Sequence, residues 1–384
     1  MKMGLAAIAA AALIGLGASP ARAEPGVAEK EIVLGQVAAL AGPASALGNG
    51  MRTGLLAAFG EANAAGGIHG RTINLVSRDD SYEPEDSAAQ TRRMAEEAGI
   101  FALIGPVGTP TSKAAQPIAQ EAGIPFIGPF TGAGFLRDPA LSNVINVRAS
   151  YDQETEEWIK HLVEDLGIKS IAILHQDDSF GQAGLSGVQK AMDKRGMSLT
   201  AAATYPRNTT DVKPAVDAIV AAKPEAVVMV GAYAPVAAFI GQAKKAGLNA
   251  LFLNISFVGS EALADTLGPI GEGVVITQVV PFPWDSSVPV VRDYQAALKT
   301  HAGGERPGFV SLEGYLVGRL FLSALEKAGP SPTREALMKA MQGTHDLGGF
   351  ALTFGPGDNQ GSDRVYFTVL NADGSFLPVT KLVR

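Results

Sequence analysis

The sequence predicts an α/β protein of two lobes, each a parallel sheet with helices on both faces. Three observations predict it. Short apolar runs alternate with helical stretches up to Val144–Ala149, and the alternation then begins again. Hydrophobic residues make up 47% of the chain and charged residues only 18%, below the usual ~25%, as expected of strands buried on both faces. Once an N-terminal leader is set aside, roughly 360 residues remain, more than one core normally holds.

That leader comes first in the chain. Lys2 supplies a positive start, Leu5 to Gly17 is a short apolar run, and Ala21-Arg22-Ala23 is a small-x-small cleavage site. The expected mature chain starts at Glu24, after cleavage of the signal peptide behind Ala23, and is free in a periplasm or outside the cell. The chain has no cysteine, so neither a disulfide framework nor a lipidated cysteine is expected.

Ile32–Leu40 reads as a strand and Leu47 to Ala64 as a helix, closed by Gly66-Gly67. Arg71–Asp80 is a second strand, and Pro84 to Ala98 a helix with an acidic start, as the helix dipole favours. Phe101–Ile104 and Pro125–Ile127 are short strands, separated by a helical stretch to Ala122 and followed by the strand Val144–Ala149. The second run has helices at Asp152–Leu166, from Ser179 to Arg195, at Asp211–Ala222 and up to Ala246. Its strands are Ser170–His175, Leu199–Tyr205, Ala226–Val230, Ala250–Asn254 and Gly273–Pro281. Helices at Pro289–His301, Val310–Ala328 and Thr333–Met341 follow, and Phe350–Phe354 with Val365–Asn371 reads as a hairpin. A chain that returns to the first lobe after Pro281 and to the second after Gly348 gives lobes 24–148 plus 280–348 and 149–279 plus 349–384. A cleft between them suits hinge closure on a guest.

Two loops within Phe101–Arg137 stand out. Gly105-Pro-Val-Gly-Thr-Pro-Thr-Ser112 and Gly128-Pro-Phe-Thr-Gly-Ala133 follow apolar strands, at the sheet end where open parallel sheets bind ligands. Thr109, Thr111, Ser112 and Thr131 offer hydroxyls, and the free N–H groups of the following helix favour an anion. Such loops equally serve as ordinary Gly/Pro turns with capping hydroxyls.

Catalytic signatures are missing from the sequence. The five histidines have no ligand spacing, Gly184-Leu-Ser-Gly187 is not a nucleophile elbow, and Gly105 to Ser112 lacks the Lys-Ser/Thr ending of a phosphate loop. Asp79-Asp80 and Asp177-Asp178 sit at strand–helix junctions, where capping is the expected role. His175 ends an apolar strand and reads as a hydrogen-bonded core or cleft-edge residue. A net charge of −7 without a basic run argues against nucleic acid. No cofactor or metal is expected.

Glu61-Ala-Asn-Ala-Ala-Gly-Gly-Ile-His-Gly-Arg71, Asp79-Asp80, the Ile104-Gly105 loop and Gly123-Ile-Pro-Phe-Ile-Gly-Pro129 resemble, in this order, one known family. It is that of the type I periplasmic solute-binding proteins of ABC importers, in the leucine/isoleucine/valine-binding branch. His175 to Gly181 and Gly231 to Gly247 continue the resemblance over nearly the whole mature chain. It implies two Rossmann-like lobes joined by three crossovers, with an amino acid or related small solute clamped between them and an ABC permease as partner. A monomer without catalysis of its own is expected. By position, the ligand carboxylate falls to Thr109, with Phe130, Thr131 and Gly132 after the next strand. An aromatic lid falls at Phe180, a second position at Tyr233 or Ala234, and a pocket-lining residue at Leu47. Ser256 stands where amino-acid-binding members carry an acid for the ligand ammonium. Glu313 or Asp178 is a substitute for that acid, and Glu313 is otherwise a solvated first-turn glutamate. The same fold also serves sensors that signal to a membrane receptor. A secreted hydrolase using Asp177, Asp178 or Ser256 is the remaining alternative.

Overall fold

The computed structural model describes residues 24–97 and 99–383. The expected leader, residues 1–23, and Ala98 at the end of the expected second helix lie outside them. The first half of the chain runs β1 (Glu31–Ala38), α1 (Ser45–Ala64), β2 (Thr72–Asp79), α2 (Pro84–Glu96), β3 (Ala102–Ile104), α3 (Thr109–Glu121), β4 (Phe126–Ile127) and β5 (Val144–Ile145). Its five strands form one parallel sheet in the order β2-β1-β3-β4-β5. Each βα step returns the chain beside a strand already laid down, which leaves the loops after β3 and β4 next to each other at one sheet end.

The alternation restarts at α4 (Tyr151–Glu164), whose first turn is closed by a capping box between Ser150 and Gln153. It continues through β6 (Ile171–Gln176), α5 (Ser179–Asp193), β7 (Ala201–Tyr205), α6 (Lys213–Ala222), β8 (Ala226–Val230), α7 (Tyr233–Lys245), β9 (Leu251–Asn254), α8 (Ser260–Leu267) and β10 (Val275–Gln278). Then come α9 (Pro289–His301), α10 (Phe309–Ala328), α11 (Arg334–Ala340), β11 (Gly343–Asp346), β12 (Ala351–Phe354), β13 (Tyr366–Leu370) and β14 (Phe376–Val379). The second sheet has the order β14-β13-β10-β9-β8-β6-β7, parallel from β10 to β7 and antiparallel at the β13–β14 edge.

α10 returns to the first sheet's side and packs along α1. A methyl group on Gly54 would lie 1.9 Å from the Ser311 carbonyl oxygen, and one on Gly314 2.3 Å from that of Met51. The two backbones therefore touch, which fixes the position of Glu313 relative to the loops after β3 and β4.

Three expectations are corrected, and one helix was not anticipated. Phe350–Phe354 and Val365–Asn371 do not pair with each other. β12 pairs with β11, which precedes it across a tight Gly348-Gly349 turn, while β13 pairs with β10 and β14. A near neighbour closes a smaller loop and wins on entropy. The strand expected at Val144–Ala149 ends at Ile145. Beyond it Asn146 bonds a distant segment, donating to Asn359 O and accepting from Gly361 N–H, each at 2.8 Å. The long strand Gly273–Pro281 is confined to Val275–Gln278. Finally, α8 was hidden between Gly259 and Gly268-Pro269, being too short to display a helical period.

Candidate functional site

The two loops of the first sheet meet at their hydroxyls. Gly108 precedes α3 with φ 104°, a conformation open to glycine, and a methyl group there would lie 2.3 Å from the Tyr82 ring. This lets Thr109 turn inward, and its Oγ1 lies 2.6 Å from Thr131 Oγ1, both buried. One hydroxyl proton joins the pair and the other is left to donate. Thr111 is spent locally, donating to the Val107 carbonyl. Gly132 accepts from the Tyr151 N–H at 2.8 Å. Arg137 fastens the second loop to the chain's passage between sheets, donating to the carbonyls of Ala133 at 2.9 Å and Arg148 at 3.1 Å and to the Gln360 side chain at 2.8 Å.

Across from these loops stands a box of rings. Phe257, in the 3-10 turn Ser256–Val258, lies 4.6 Å from Phe180, 5.3 Å from Phe130 and 6.0 Å from Tyr82. Tyr151 lies 5.5 Å from Phe180. Phe130 and Tyr82 come from the first sheet's loops and Phe180 and Phe257 from the second's, so the box exists only while both are together.

At its centre is Arg148, which the sequence reading overlooked. Its guanidinium is fully buried, 4.6 Å over the Phe130 ring. It lies 3.6 Å from Glu313 Oε1 and 3.9 Å from Glu154 Oε1, and Nη2 donates to Ser256 Oγ. Among the described residues, Arg148 Nε and Nη1 have no hydrogen-bond acceptor. The Tyr151 hydroxyl, beside Thr131, has no bond of normal length. Glu154, also overlooked, accepts three hydrogen bonds: from Ser256 N–H at 2.9 Å, Ser256 Oγ at 2.8 Å and Thr277 Oγ1 at 2.6 Å. Burial drives the Glu313 carboxyl up to about 7, against the pull of Arg148.

Seven expected site residues, Thr109, Phe130, Thr131, Gly132, Phe180, Ser256 and Glu313, thus gather around Arg148 and Phe257. Leu47 and Tyr233 do not. They flank Gly259 beside a separate cavity of about 290 Å³ between α1, α8 and α10. Two side chains, Glu313 and Ser256, have other roles than those weighed from the sequence, and Asp178 has the expected capping role rather than that of a substitute acid. Glu313 is buried and faces a guanidinium, so it is no solvated first-turn glutamate. Asp178 caps α5 and also takes Gln176 Nε2 at 2.6 Å and Arg207 at 3.1 Å, which occupies its charge. Ser256 serves Glu154 and Arg148. Asp79 caps no helix, against expectation; it ties the loops after β1 and β2 together, with N–H groups of Leu40, Ala41 and Ser81 on one oxygen. His175 bonds the Gln176 carbonyl at 3.1 Å, and burial holds its pKa down.

Polar bonds tie the two sheets' loops at the rim. Arg207 meets Glu83 at 2.6 Å, Asn208 donates to Glu83 at 2.7 Å and to Ser81 O at 3.1 Å, and Phe309 N–H donates to Glu261 at 2.9 Å. This is a closed arrangement.

Comparison with known proteins bears on the fold that carries this site. The family described as "Periplasmic binding protein" matches residues 31–375. The crystal structure of a possible leucine/isoleucine/valine-binding protein from Rhodopirellula baltica SH 1 is 38% identical, with a TM-score of 0.86, covering 91% of this chain and 96% of that one. A substrate-binding periplasmic protein from Ralstonia solanacearum is 31% identical, with a TM-score of 0.86, covering 91% of this chain and all (100%) of the other. An amino acid binding protein of Pseudomonas aeruginosa is 25% identical over 336 residues, 87% of each chain.

Proposed function

The chain belongs to the periplasmic binding protein family, and on that premise we propose that it captures a small amphipathic solute by hinge closure and delivers it to an ABC permease. Its fold is the type I periplasmic binding fold of the leucine/isoleucine/valine-binding kind, and like its relatives it binds solutes and is not an enzyme. The solute is an amino acid or a related small carboxylate, as the names of the relatives suggest for them. The mature protein begins at Glu24 and works in the periplasm as a monomer.

One observation carries the reading. Arg148 touches Phe130 and Glu313 on the first sheet's side and Ser256 and Glu154 on the second's, so the site is complete only when the lobes are closed. A guest that contacts both sides binds the closed state better and shifts the equilibrium toward it. We take the lobes as 24–148 plus 280–354 and 149–279 plus 363–384. The third passage is drawn at 355–362 because β12 pairs with β11 and Gly361 bonds Asn146.

X-ray scattering tests this. A solute chosen by thermal shift from a panel of amino acids and short acids should reduce the radius of gyration. An unchanged radius at saturation would count against the trap.

Thr109 and Thr131 are assigned to the acidic end of that solute. Replacing either by Ala should weaken binding by ~1.5–3 kcal/mol, with unchanged circular dichroism. Because the two hydroxyls share one hydrogen bond, the double variant should lose less than the sum. Titration calorimetry decides it, and wild-type affinity in both single variants would place the cradle elsewhere.

A further inference from the structure

We propose that the solute is an organic acid without an ammonium group, an aromatic or branched aliphatic monocarboxylate, whose carboxylate is met by Arg148 and the Thr109–Thr131 pair. The inference rests on the solute-binding reading above and names its ligand class.

Hydrogen-bond donors without a partner gather around Arg148. An ammonium needs free acceptors, ideally a carboxylate. Glu154 has one lone pair to offer at most, since Oε2 accepts from the Ser256 N–H and Thr277 and Oε1 from the Ser256 hydroxyl. Asp178 is engaged by Gln176, Arg207 and the Phe180 N–H. Glu313 lies 3.6 Å from Arg148 Nε without a hydrogen bond, and burial, which raises its carboxyl to about 7, lets it meet a guest as a neutral acid. With Glu313 neutral, Arg148 and Glu154 form a balanced pair, and an ammonium would enter the cleft without a free counter-charge. What is left over is donors. Arg148 Nη1 and Nε are buried without an acceptor, and one hydroxyl proton of the threonine pair is uncommitted. A carboxylate supplies the acceptors these groups lack, and with Glu313 protonated its charge and that of Glu154 are balanced by the two guanidinium groups of the cluster, Arg148 and Arg137. The rest of the guest meets Phe130, Phe180, Phe257 and Tyr82, which accept rings and branched alkyl groups and offer little to a polar tail.

Matched pairs test the class on the wild-type protein by titration calorimetry. The probes are phenylacetate, phenylacetamide and L-phenylalanine, with 4-methylpentanoate and L-leucine as the aliphatic set. At least one acid should bind 100-fold or more tighter than its amino acid, and phenylacetate should bind at least 30-fold tighter than the amide if it is the tighter acid. An amino acid that binds as well as its matched acid overturns the proposal, and so does an absence of binding by both acids at 10-millimolar concentration. Arg148→Lys replaces the planar fork by a single ammonium. With circular dichroism unchanged, it should cost the acid ten- to a hundredfold, and wild-type affinity there would overturn the role of the guanidinium. Scattering with each bound probe separates this inference from the trap itself. Acids that bind at the stated ratio without compaction uphold the ligand class and defeat the hinge reading. An amino acid that compacts the chain while the acids do not defeats the ligand class and leaves the hinge reading standing.

Discussion

Arg148→Met is expected to destabilise the protein by about 3–5 kcal/mol, the range for removing one partner of a buried charge cluster. The guanidinium is fully buried and lies between Glu154 and Glu313 at 3.9 and 3.6 Å. Without it two carboxylates remain in an apolar box, and the Ser256 hydroxyl loses a donor. Glu313 can escape by taking a proton, since its carboxyl is already raised to about 7. Glu154 cannot do so cheaply, because three donors hold it as an acceptor. The loss should therefore be larger at pH 8 than at pH 5. Urea unfolding at both pH values measures it. The double variant Arg148→Met/Glu313→Leu should recover part of the loss, because it removes one of the stranded charges. A loss below about 1 kcal/mol at pH 8 would mean that Arg148 holds neither glutamate.

What the sequence made legible follows from how local each signal is. The βα alternation, the two Gly/Pro loops and Thr109 with Thr131 announce themselves within a few residues, and the structure brings those two hydroxyls to 2.6 Å. Phe180 and Ser256 were reached through family position and lie in the same cluster. Arg148 and Glu154 were not reached, because their meaning depends on partners 102 to 165 residues away, Ser256 and Glu313. Signals existed nonetheless. Arg148 is the one charge in Val-Ile-Asn-Val-Arg-Ala, an apolar run that ends a sheet. Glu154 stands one helical turn before Trp158 and two before Leu162, on the buried face of α4. A charge on a buried face demands a partner, and that demand could have been entered against Ser256. Reading Ser256 as a replacement for a missing acid compared one position at a time. In the fold an acid is present, delivered from α4 to the backbone of the same turn.

The tail was misread for the opposite reason. Val365–Asn371 has a strand's composition, but nothing local says whether its partner is β12 or an edge of the second sheet. Tertiary context decides such pairings.

Stability should peak on the acid side of neutrality and fall as pH rises toward 8. Two buried carboxyls set this trend, Asp80 and Glu313, each driven up to about 7 by burial, and Glu261 follows at about 6. For Asp80 burial outweighs the Tyr82 N–H and the Ser87 side chain, both of which favour the ionised form. Asp79 and Asp86 oppose its ionisation, as Glu154 opposes that of Glu313. Arg148 and Arg137 pull Glu313 the other way, and Arg306 does the same for Glu261. In the unfolded chain these groups lose their protons near pH 4 to 4.5, so between there and about 7 the folded state holds more protons than the unfolded one. Stability then decreases with rising pH, because the slope follows the protons bound in the unfolded state minus those in the native state. At about 1.4 kcal/mol per pKa unit, the combined loss between pH 5 and 8 is on the order of a few kcal/mol. Below about pH 4 the trend reverses, since Asp79 and Glu156 are held below their usual values and lose their bonds on protonation. Thermal midpoints from pH 4.5 to 8 measure the slope. Asp80→Asn and Glu313→Gln, which mimic the protonated acids, should each flatten it and raise the midpoint at pH 8. A wild-type profile that is level or climbs across this range would show that both carboxyls ionise in place without penalty.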